Sequence, residues 1–80
     1  MYQTAWRNPV VVRLAGGTQV IRNAAEATDC LSQDWPGSRG RAYERALQVC
    51  FRCFEGHVTA EQVRGMFIAA CDEADVLISQ

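Results

Sequence analysis

The sequence predicts a small α+β domain in the order ββααα(β), an N-terminal β-hairpin followed by three helices and a short third strand. Three observations carry this. A β-branched run, Pro9-Val10-Val11-Val12-Arg13-Leu14, is divided by Ala15-Gly16-Gly17 from a second run, Thr18-Gln19-Val20-Ile21-Arg22. Further on, apolar residues recur at spacings of three and four, the period of a helix. The tail Val76-Leu77-Ile78 then returns to a strand-like pattern.

Each element has its own start and stop. Pro9 can open a strand because its missing N–H is tolerated at a first position. Residues 1–8 show no period and are expected to lead in loosely, which leaves 9–80 as one domain. The glycine turn sets the hairpin register. A two-residue loop is the alternative. A three-residue loop, with Gly17 at positive φ, pairs Val12 with Val20 and is the expected form. Val12 and Val20 then face the helices, and Val11 and Ile21 point outward together.

Asn23 is a good N-cap, with Glu26 three residues on as in a capping box. The first helix is expected to run to about Asp34, with Ala24, Ala27, Cys30 and Leu31 inward. Trp35-Pro36-Gly37 ends it, since proline disfavours helix at the residue before it. Ser38 is the expected N-cap of the second helix. That helix carries the stripe Tyr43, Ala46, Leu47, Cys50, Phe51, Phe54 and stops at Gly56. Thr59 and Gln62 form a capping box for the third, whose stripe is Val63, Met66, Phe67, Ala70 and Ala74.

Composition narrows the function classes. The chain has 80 residues, and its 8 basic residues, all arginine, face 9 acidic ones for a net charge of −1. A mean hydropathy of −0.12 and 49% apolar residues exclude a disordered chain. No apolar run approaches the roughly 18 residues of a membrane span. The N-terminus lacks the basic start and apolar stretch of a secretory signal. A cytoplasmic protein is therefore expected, with no membrane partner. Near-neutral charge gives nucleic acid no general electrostatic attraction.

The signposts Trp35-Pro36, Gly40-x-x-Tyr43-x-x-Ala46, Cys50 and Gly56 come in a recognisable order. Glu61-x-x-Arg64-x-x-Phe67 and Ala70-x-x-x-Ala74 follow them, and the Pro9-Val10 hairpin with Val20 precedes them. From about Pro9 to Ile78 the chain resembles the bacterial domain-of-unknown-function family 982. The resemblance implies a compact α+β fold and brings no catalytic or ligand residues with it.

Several groups invite a chemical reading. Cys50-x-x-Cys53 has redox spacing, but a reactive thiolate belongs at a helix N-terminus, and this pair lies in the last turns of a helix. Cys30, Cys50, Cys53, Cys71 and His57 offer zinc ligands in number, yet only one close pair exists where structural sites use two. His57 beside Cys53 lacks an orienting third group, so no catalytic constellation is readable and an enzyme is not expected. No cofactor or metal is expected either. At Ser38, Arg39, Gly40 and Arg41 a turn leads into a helix with two added charges, and free N–H groups there could take an anion. The second and third helices with their glycine turn suggest a small DNA-associated regulator as an alternative, using Thr59, Gln62 and Arg64. The leading expectation is a non-catalytic interaction or accessory module. It self-associates or binds a protein partner through the outward hairpin pair, Val11 and Ile21, joined by Trp6 or Leu77.

Overall fold

The computed structural model describes residues 5–33, 35–36 and 39–80. Its elements are β1 (Ala5–Leu14), β2 (Gly17–Asn23), α1 (Ala24–Gln33), α2 (Arg41–Phe54), α3 (Ala60–Glu73) and β3 (Leu77–Ser79). The fold is the expected ββααα(β). One antiparallel sheet has strand order β2-β1-β3, with β1 in the centre. The helices cover the face that presents Val10, Val12 and Leu14.

The hairpin differs from expectation in its frame. The turn takes only Ala15 and Gly16, and Leu14 pairs with Gly17 at φ 119°. Val11 therefore lies opposite Val20, and Val10 opposite Ile21. Side chains alternate along a strand, so this slip of one residue reverses the faces of β2. Ile21 is buried in the core, and Val20 takes the outward place assigned to it. Val11 keeps its outward place and is half-buried.

β1 also starts four residues earlier than Pro9. Residues 5–8 belong to the strand, and Trp6 packs into the core instead of joining the outer face. A register shift between Ala5 and Val10 absorbs Pro9, which cannot donate to a ladder. Residues 1–4 of the expected lead-in lie outside the described residues.

An aromatic chain organises the core beneath the helices. Trp6 meets Phe67 at a centroid distance of 5.8 Å. Phe67 meets Trp35 edge-on at 6.2 Å, and Trp35 meets Tyr43 at 5.6 Å. The Tyr43 hydroxyl donates to the Leu31 carbonyl at 2.7 Å, which satisfies an orphan acceptor in the last turn of α1. The Trp6 indole N–H is buried with no acceptor among the described residues.

The caps are specific. Asn23 Oδ1 accepts from the Glu26 N–H at 2.8 Å, and the Glu26 carboxylate reaches one residue further back, to the Arg22 N–H at 2.7 Å. Thr59 and Gln62 form the full reciprocal box. Gly56 at φ 84° closes α2, with the His57 N–H donating to the Arg52 carbonyl. Asp75 does the same for α3 at φ 60°, and from there Val76 accepts from the Arg13 N–H to lay β3 on β1.

Two apolar stripes are narrower than expected. The buried face of α2 is Tyr43, Ala46, Cys50 and Cys53, with Leu47 only half-buried. Ala46, Cys50 and Cys53 are small, and that side faces the core. Phe51 and Phe54 sit on the flank, exposed by 56% and 37%. Met66 on α3 is likewise exposed, while Val63, Phe67, Ala70 and Cys71 fill the interior.

Candidate functional site

The α2 N-terminus is the first place to look for a bound anion. Of the four residues expected there, Ser38 lies outside the described residues, so its capping role does too. Gly40 is the N-cap and offers no side-chain hydrogen bond. The free amides are taken from elsewhere in the chain. Glu73, on the last turn of α3, accepts from the Ala42 N–H at 3.1 Å and the Tyr43 N–H at 3.3 Å. A Cβ added at Gly40 would stand 2.9 Å from the Glu73 carboxylate, which would have to shift to make room. Arg39 places its guanidinium 5.6 Å from the Tyr43 ring centroid. An external anion at Arg39, Gly40 and Arg41 would have to displace this built-in carboxylate.

The four cysteines are buried and none is in a disulfide. Burial pushes the Cys50 and Cys53 thiols up; at Cys50 a Thr28 hydrogen bond opposes this and the neighbouring Cys53 adds to it. Cys71 is pushed up to about 12, by burial first and then by Cys30. These are protonated thiols, the opposite of what nucleophilic or redox chemistry needs. Among the described residues no group of three or more His, Cys, Asp and Glu side chains could hold a metal ion. His57 lies exposed at the end of α2.

A pH dependence follows. Unfolded Cys71 releases its proton near the ordinary 9.0, whereas folded Cys71 holds it to about 12. The folded state binds the extra proton between those values, so stability is unaffected below 9.0 and falls as pH rises across the window. Urea midpoints from pH 7 upward should stay level and then decline in alkali. Iodoacetamide at pH 8 should label the native chain far more slowly than the denatured chain. Labelling at the free-thiol rate in native buffer would contradict the burial.

The helix pair proposed for DNA has its polar side chains occupied. Thr59 and Gln62 are consumed by the capping box. Arg64 Nε donates to the Asn8 carbonyl at 2.8 Å, and Glu61 accepts from the Arg7 N–H at 3.1 Å. Reading bases with these residues would break the contacts that hold α3 to β1. A depression of about 390 Å³ beside them is lined by Arg7, Cys53, Val58, Thr59 and Glu61, among others. Two of its polar groups are the ones already engaged.

Among the described residues, what remains unengaged is the far side of the sheet. The three helices cover one face, and Val11, Val20 and Ile78 lie on the other, one from each strand. Val20 is 37% exposed and Ile78 46% exposed. The residues expected to form this patch were Val11 and Ile21; the structure keeps the first, replaces the second by Val20 and adds Ile78. Leu77 pairs with Val12 and is half-buried against the core, Ser79 pairs with Val11, and the irregularity between them leaves Ile78 exposed beside that pair.

A three-stranded sheet under three helices, with its other face open, defines a small two-layer α+β domain. The family model described as "Protein of unknown function (DUF982)" matches residues 8–78, and the chain belongs to that family. The NMR structure of a protein from Agrobacterium tumefaciens is similar, with a TM-score of 0.78 and 32% identity over 96% of this chain and 78% of that one. No curated protein matches the sequence. No helix among the described residues is long and apolar enough to cross a membrane.

Proposed function

We propose that the chain is a non-catalytic protein-interaction module of the bacterial cytoplasm, and that its open sheet face takes the partner. The observation that carries this is the row of Val11, Val20 and Ile78 on a face that no described element covers. Water-facing apolar residues in a contiguous row mark a contact surface more often than scattered ones do. Four cysteines with no disulfide among them suit a reducing compartment.

The test is retention on beads. Wild-type chain, Val20→Asp and Gln48→Asp are each coupled and exposed to native lysate, and light scattering on each gives its mass. Both changes fall at exposed sites, so circular dichroism should be unchanged. A protein retained by wild type and Gln48→Asp but lost with Val20→Asp supports this function, whether it is another copy or a different chain. Equal retention by all three, or none by any, removes it.

A further inference from the structure

The strands contain three arginines and no acid. Arg7 and Arg13 lie on β1 and Arg22 on β2, while the 9 Asp and Glu residues all fall outside the strands. Arg13 alternates with the buried Val12 and Leu14, and Arg22 follows the buried Ile21. Both therefore stand on the open face, in line with Val11 and Val20. Arg7 lies elsewhere, where the strand pairing is irregular, and lines the depression beside α3 with Thr59 and Glu61. No carboxylate pairs with these three guanidinium groups among the described residues. Glu61 and Glu26 approach only the backbone N–H groups of Arg7 and Arg22. A chain of net charge −1 thus presents a face that is positive and apolar together.

We propose that this face docks an acidic amphipathic helix of a different protein; the proposal rests on the interaction function above and names its partner chemistry. Three strands about 4.8 Å apart make a platform roughly 10 Å wide, the diameter of one helix. An apolar stripe would lie on Val11, Val20 and Ile78, and its flanking carboxylates would meet Arg13 and Arg22 in paired hydrogen bonds. Two copies of this chain face to face would oppose arginine to arginine, which disfavours a symmetric dimer there. Single-stranded nucleic acid binds sheet faces by stacking on aromatic rings. Among the described residues the open face has none, since Trp6 is turned inward.

The experiment titrates isotopically labelled chain with a synthetic amphipathic peptide of about 18 residues, leucine on one face and glutamate on the other. The same peptide with lysine for glutamate, and an oligothymidylate, run in parallel. The glutamate peptide should shift the amides of Val11, Arg13, Val20 and Ile78 and bind at least about tenfold more tightly than the lysine peptide. The double change Arg13→Glu with Arg22→Glu should reverse that order, a readout that damage to the fold would not give. Equal binding of the two peptides, shifts confined to the helices, or tighter binding of the oligothymidylate would overturn the proposal. If Val20→Asp still abolishes capture of a lysate protein, such a result removes the acidic helix and leaves the interaction function standing.

Discussion

Phe67→Ala should remove most of the stability of the chain. Phe67 is fully buried and joins Trp6 to Trp35, so its ring is shared by β1, α3 and the segment after α1. Truncating such a ring costs about 3–5 kcal/mol, because the cavity left behind is only partly refilled. Small domains have about 5–15 kcal/mol in total and sit toward the lower end, since they bury less of their surface. A urea transition close to zero denaturant, or no cooperative transition at all, is the expected outcome. Phe51→Ala is the matched control. Both phenylalanines lie on predicted apolar stripes, yet Phe51 is 56% exposed, so its loss should cost less than about 1 kcal/mol. Similar midpoints for the two variants would mean that α2 is rotated from the orientation described.

The second large effect is expected where α3 ends beside the start of α2. A carboxylate on the last turn of a helix faces the negative end of that helix dipole and is unfavourable there. Antiparallel packing turns this into an advantage for Glu73, because the N-terminus of α2 lies alongside and supplies two amides to its carboxylate. Removing an N-terminal cap costs about 0.5–2 kcal/mol, so Glu73→Ala should fall in that range. Gly40→Ala should cost up to a similar amount by another route, since the new Cβ pushes the Glu73 carboxylate away from the two amides. The two losses share one cause. The double variant should therefore be less destabilised than their sum, and additive losses would show that the contact is not formed. Glu73→Ala also empties the helix N-terminus. Phosphate should then raise the melting temperature of the variant by more than that of the wild type.

At residues 39–41 the sequence shows a helix start with free amides, and the structure fills two amides of that turn from within the chain. Their occupant comes from a position more than 30 residues away, and no local pattern connects Gly40 to Glu73. The hairpin shows a different limit. Both strands and their turn were legible, and so was the positive φ of Gly17. The frame depended on whether Gly17 belongs to the turn or to β2, and one residue decides which face Val20 and Ile21 take. For α2 the helical period was legible, but the direction of closest approach was not. Small Cys53 fills the core where larger Phe54 was expected. The buried place of Trp6 was hidden by the irregular pairing around Pro9. The strands lack any Asp or Glu, and with alternation this alone would have marked the open face as basic.

The most direct test of the open sheet face is photo-crosslinking in cells. A benzophenone amino acid is placed at Val20 in one strain and at Gln48, exposed on α2, in another. Irradiation should join the chain to a distinct protein from position 20 and to none from position 48. Crosslinks from position 48 with none from position 20 would contradict the account and move the contact surface to the helices.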